Sequence, residues 1–120
     1  MNVIINDFNI YYEQHGIGKK EIVILPGWGD TRKTFYNMID SLKEHYTIYI
    51  IDYPGFGNSL FPTRNLTIYD YAKLIKDFFN MLNIRNHIII AHSFGSRISI
   101  LLSTILNTSI EKLIIIDGQV

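Results

Sequence analysis

At 120 residues the chain has room for one domain with a substantial core. Eleven basic and eleven acidic residues cancel, which removes the electrostatic footprint expected of a nucleic-acid or anionic-membrane binder. A hydrophobic content of 48% excludes a disordered chain, and the absence of cysteine excludes disulfides, thiol catalysis and thiolate metal sites.

The opening residues, Met1 to Asp7, carry no basic segment followed by a long apolar run, so no signal peptide is expected. No apolar stretch approaches the ~18 residues of a membrane helix. A soluble, cytoplasmic protein is the expectation. Val3-Ile4-Ile5 and Ile10-Tyr11-Tyr12 read as two strands joined by a tight turn at Asn6-Asp7. The Gly16-Ile17-Gly18-Lys19-Lys20 loop that follows fits neither GxxxxGK[ST] nor GxGxxG, and no helical pattern comes after it, so a plain turn is expected.

Glu21 to Leu25 is a compact, largely β-branched strand that breaks at Pro26-Gly27-Trp28-Gly29. Asp30 or Thr31 is then expected to cap a helix with Phe35, Met38, Ile39 and Leu42 on its inward face. Thr47 to Ile51 makes another strand, ending in the Pro/Gly-rich loop Asp52-Tyr53-Pro54-Gly55-Phe56-Gly57-Asn58-Ser59. Thr67 with Asp70 three residues on predicts a capping box, opening a helix with Tyr71, Leu74, Ile75, Phe78 and Leu82 on one face.

His87 to Ala91 reads as a buried strand that runs straight into His92-Ser93-Phe94-Gly95-Ser96. Apolar positions then recur at helical spacing at Phe94, Ile98, Leu101, Leu102 and Ile105. A serine in such a strand-to-helix turn stands clear of both elements, and the small residues Ala91 and Gly95 let strand and helix pass closely. Lys112 to Ile116 is the last predicted strand. Strands alternating with helices predict an α/β fold, a mostly parallel sheet covered on both faces, with any site at the strand C-terminal ends. One domain over 1–120 is expected, without repeats or linkers. A nucleotide-binding doubly wound domain would need a glycine fingerprint after its first strand, and the sequence has none.

Leu25-Pro26-Gly27-Trp28-Gly29, Asp52 to Ser59, and Ala91-His92-Ser93-Phe94-Gly95 stand in the order and spacing of the alpha/beta-hydrolase family, which the chain resembles over essentially its whole length, with its small esterase-like branch most similar. The resemblance implies a three-layer alpha/beta-hydrolase fold cut off after its sixth strand. It implies a serine hydrolase acting on an ester, thioester or amide of a small acyl substrate, without cofactor. Ser93 would be the nucleophile. The backbone N–H groups of Trp28 and Phe94 would form the oxyanion hole, removal of one such donor costing about 3 kcal/mol of transition-state stabilisation. Pro26 stands where the family usually has histidine, but the donor belongs to Trp28, and Ala91 and Ser96 replace glycines mildly.

Serine needs a histidine to take its proton, oriented by an acid. The four histidines can each be judged by topology. His87 begins the strand that Ser93 ends, about 20 Å away at ~3.3 Å per residue. His45, which ends a helix just before a strand, is expected at that same far end, and the resemblance, whose second strand runs antiparallel, implies the same of His15. His92 is at the near end, but as the neighbour of Ser93 its side chain should point away from it. No histidine is expected to serve as base. Asp117 occupies a position that a minority of the superfamily uses for the acid; capping the following turn is its plainer role. Asp52 is expected to hold the Pro-Gly loop. Tyr53, Phe56, Phe61, Trp28 and His92 are candidates to line an acyl pocket, whereas Phe35, Phe78 and Phe79 belong to the core and Arg97 to the surface. No i, i+4 histidine pair or carboxylate cluster occurs, so no metal site is expected. The alternative to an enzyme is a hydrolase-like domain that binds a ligand or partner without catalysis. Ending at a sixth strand would leave a sheet edge open to self-association.

Overall fold

The structure, a computed structural model, describes residues 1–30, 32–55, 65–85, 87–106 and 108–117. Six strands form one sheet: β1 (Asn2–Ile5), β2 (Phe8–His15), β3 (Lys20–Leu25), β4 (Tyr46–Asp52), β5 (His87–His92) and β6 (Ile110–Ile116). Their order across the sheet is β1-β2-β4-β3-β5-β6. β1 and β2 are antiparallel to their neighbours, and β3, β4, β5 and β6 run parallel. The helices are α1 (Tyr36–Leu42), α2 (Ile68–Leu82) and α3 (Phe94–Ser103).

Alternation along the strands builds two apolar layers. Val23, Leu25, Tyr49, Ile51, Ile89 and Ala91 pack against α2 and α3 through Leu74, Ile75, Phe78, Ile98 and Leu102. Ile22, Ile24, Ile48, Ile50, Ile88 and Ile90 pack against Phe35 and Ile39 on the other face. Central parallel strands buried on both faces need apolar residues at every position, hence the isoleucine-rich runs. The capping box is present: Thr67 N–H donates to Asp70 Oδ2 at 3.0 Å and Asp70 N–H donates to Thr67 Oγ1 at 3.1 Å.

The start of α1 differs from expectation. A 3-10 turn over Arg32–Phe35 precedes it, its N-cap position is Phe35, and no side chain caps it. Asp30 is held elsewhere, as described below, and Thr31 lies outside the described residues. β6 is an edge strand, and Ile114, Ile115 and Ile116 remain 43%, 43% and 40% exposed. No helix among the described residues is long and apolar enough to cross a membrane.

His87 opens β5 at the end of the sheet remote from Ser93, buried, with its ring 4.3 Å from that of Phe79. Neither ring nitrogen has a hydrogen-bond partner among the described residues, and burial pushes its pKa down to about 4 from 6.5. The unfolded chain therefore takes up a proton near pH 6.5 that the folded chain refuses until about pH 4. Stability from this group is level above that window and falls as pH drops through it. Chemical denaturation should show wild type losing about 2 kcal/mol more than His87→Leu between pH 7 and pH 5.

Candidate active site

The centre of the sheet delivers β5 to an abrupt turn. Ser93 has φ 50° and ψ −109°, a conformation that L-residues adopt only under constraint. The constraint comes from both sides. Ser93 N–H donates to Ile116 O on β6 at 3.3 Å, and Ser96 N–H donates to Ser93 O at 2.9 Å. Gly95 allows the first turn of α3 to lie directly on the end of β3: a Cβ there would sit 2.1 Å from Leu25 O and 2.8 Å from Pro26 O. Ala91 is fully buried beneath the turn. Ser93 holds the N-cap position of α3 without using its side chain to cap the helix. Its hydroxyl is thus left out of the helix cap.

Beside this elbow stands the loop that leaves β3. Tyr53 OH donates to Pro26 O at 2.8 Å. Asp30 N–H donates to Gly27 O at 3.1 Å, closing the turn. Gly27 N–H donates in return to Asp30 Oδ2 at 2.7 Å, and His92 Nδ1 lies 2.7 Å from the same oxygen. Beyond it, Arg32 Nε donates to Asp52 Oδ2 at 3.0 Å, its Nη1 bonds Glu13 and the Tyr36 hydroxyl, and its guanidinium lies over the Tyr11 ring. Burial would lower the Arg32 pKa, but bonding to Asp52 and the charge of Glu13 leave it raised. Burial raises Glu13, yet its bonds to His15 and Tyr36 and the charge of Arg32 bring it below the usual carboxylate range.

Aromatic rings fill the angle between loop and elbow. Phe94 meets Trp28, Tyr53 and Tyr71 edge-on, with centroids 5.2, 5.6 and 5.5 Å away. Trp28 is 67% exposed at the loop tip. Tyr53, a pocket candidate from the sequence, is instead buried, and burial with the nearby Asp30 charge raises its pKa well above 10. It is a neutral strut under the loop rather than a pocket wall.

Phe56 and Phe61 lie outside the described residues. His92 is half-buried on the Phe35 side of the sheet, in line with Ile88 and Ile90. Asp117 follows β6 at the elbow end, exposed, with φ 48°. Asp52 is buried in the ion pair with Arg32. His15 pairs across from Ile48 and bonds Glu13, and His45 lies just before β4. Among the described residues, no histidine is hydrogen-bonded to Ser93, and no group of three or more His, Asp or Glu could hold a metal ion.

A mostly parallel sheet in this order, covered on both faces and carrying a serine on a strained strand-to-helix elbow, is the architecture of an α/β hydrolase-type domain. The sequence profile of the alpha/beta hydrolase fold family matches residues 20–119, and the chain belongs to that family. It is similar to the pimeloyl-[acyl-carrier protein] methyl ester esterase of Proteus mirabilis, 34% identical over 67 residues that make up 55% of this chain and 25% of that protein. It is also similar to the uncharacterized hydrolase YugF of Bacillus subtilis, 29% identical over 100 residues, 80% of this chain and 36% of that one. An alpha/beta hydrolase fold protein from Burkholderia ambifaria superposes with a TM-score of 0.93 at 14% identity, covering 98% of this chain and 43% of its own. The chain therefore spans about a quarter to a third of the curated relatives it matches.

Gly95→Ala tests the close approach. The added methyl must push α3 off the end of β3, so the variant should lose about 1–3 kcal/mol in urea denaturation. Ala91→Gly, which adds no bulk, should lose less.

Proposed function

We propose that this chain carries the nucleophile and oxyanion hole of a serine hydrolase acting on a carboxylic ester, thioester or amide of a small acyl group. The observation that carries the reading is Ser93: a non-glycine residue held at φ 50°, at a helix start, with its hydroxyl left out of capping. As that hydroxyl attacks a carbonyl carbon, the oxygen becomes negative. The Phe94 N–H, at the positive end of α3, and the Trp28 N–H would receive it. Relatives named as methyl ester esterases support an ester as the substrate. A cytoplasmic setting is part of the same proposal.

The base is the open component. His92 is engaged by Asp30 on the Phe35 side, and the other histidines lie toward the far end of the sheet. In this reading the proton acceptor comes from a partner chain, a second copy of this one included. A second reading, a hydrolase-like domain that binds without catalysis, is favoured by the same arrangement of histidines. Intact-mass analysis after fluorophosphonate treatment separates the two. One adduct per chain, absent from Ser93→Ala, is the outcome for an activated serine. A folded chain that takes no label favours the second reading.

Self-association through β6 belongs to the proposal. Ile114 and Ile116 face one side of this edge strand and Ile115 the other, the pattern of a strand built for a sheet interior. Light scattering should give a mass above the 14.0 kDa of one chain, reduced in Ile114→Lys/Ile116→Lys. A wild-type monomer that unfolds cooperatively would overturn it.

A further inference from the structure

The Asp30 carboxylate carries two bonds at one oxygen, from Gly27 N–H and from His92, both at 2.7 Å. A carboxylate only accepts, so His92 presents a proton on Nδ1. Meanwhile the Asp30 N–H holds the Gly27 carbonyl at 3.1 Å. The Gly27 carbonyl and the Trp28 N–H belong to one trans peptide and point in opposite directions. Fixing the carbonyl on Asp30 thus turns the Trp28 N–H away from Asp30. Gly27 is the residue that fits: a Cβ there would lie 2.9 Å from both Asp30 Oδ2 and His92 Nδ1. His92 immediately precedes Ser93, so the bond from His92 to Asp30 ties the loop after β3 to the elbow after β5.

We propose that Asp30 and His92 are positioning residues that set the aim and spacing of the two oxyanion donors, Trp28 N–H on the loop and Phe94 N–H on the elbow. Neither residue touches the reacting atoms. The Asp30 backbone N–H fixes the Gly27–Trp28 peptide plane, the Asp30 carboxylate keeps that turn closed by holding the Gly27 N–H, and His92 anchors the carboxylate. The proposal rests on the serine-hydrolase reading for its purpose, and on the loop geometry alone for its mechanism.

Nuclear magnetic resonance on the full chain tests it without requiring activity. In wild type, long-range proton–nitrogen correlations should show neutral His92 protonated on Nδ1. In Asp30→Ala the proton should move to Nε2, and the Gly27 and Trp28 amide signals should shift while those of Ile22 to Ile24 stay in place. His92→Phe should shift the same two amides. A wild-type His92 protonated on Nε2 overturns the proposal, as does a Trp28 amide unmoved in Asp30→Ala. If either variant fails to fold, the wild-type tautomer still decides. Fluorophosphonate labelling of the same samples is the functional arm: Asp30→Ala should slow labelling of Ser93 about 100-fold, the effect of losing one oxyanion donor. A wild type that takes no label counts against the hydrolase reading and leaves the tautomer and amide shifts to decide the clamp.

Discussion

The backbone of Ser93 is the constraint on which the rest of the structure depends. A residue at φ 50° and ψ −109° costs on the order of 1–3 kcal/mol and persists only where its surroundings over-determine it. Here β5 is pinned between β3 and β6, and α3 is drawn onto β3 by the missing side chain of Gly95. The two apolar layers hold strand and helix in those places, so the core is what keeps the turn sharp. The same close approach brings the β3 loop beside the elbow, with Trp28 against Phe94. Sheet order, glycine placement and aromatic packing are thus parts of one arrangement.

The loop beside the elbow is fixed at successive points by different chemistry. Tyr53 holds Pro26 through a neutral hydroxyl, Asp30 closes the turn on Gly27, and Arg32 anchors the exit to Asp52 and Glu13. The Arg32 pair is largely withdrawn from solvent, where breaking one partner is costly because the other charge stays buried. In the proposed hydrolase reading, oxyanion donors must be in place before charge develops, and a loop tethered along its length suits that role.

Much of this was legible in the sequence. Isoleucine runs gave the central strands, the spacing Phe94, Ile98, Leu101 gave α3, and Thr67 with Asp70 gave the capping box. The strand-turn-helix around Ser93 followed from small residues at fixed offsets. The partner of Asp30 was not legible, because His92 lies 62 residues away and the pairing exists only once β3 and β5 are adjacent. Asp30 before a helical pattern looks like a cap, and local spacing cannot tell a cap from a long-range acceptor. Tyr53 read as a pocket aromatic because its loop leaves the sheet at the end where Ser93 stands, yet its ring is buried under the loop, with its hydroxyl on the Pro26 carbonyl. The far-end position of His87 followed from counting strand residues, but its burial without a partner depended on Phe79 of α2.

The central claim is that the fold holds Ser93 in a strained backbone conformation at a cost in stability. Equilibrium unfolding of Ser93→Gly beside Ser93→Ala tests it most directly, because both remove the hydroxyl and only glycine relaxes at positive φ. The account predicts Ser93→Gly more stable than Ser93→Ala by about 1 kcal/mol. Equal stabilities, or a more stable alanine variant, would contradict it.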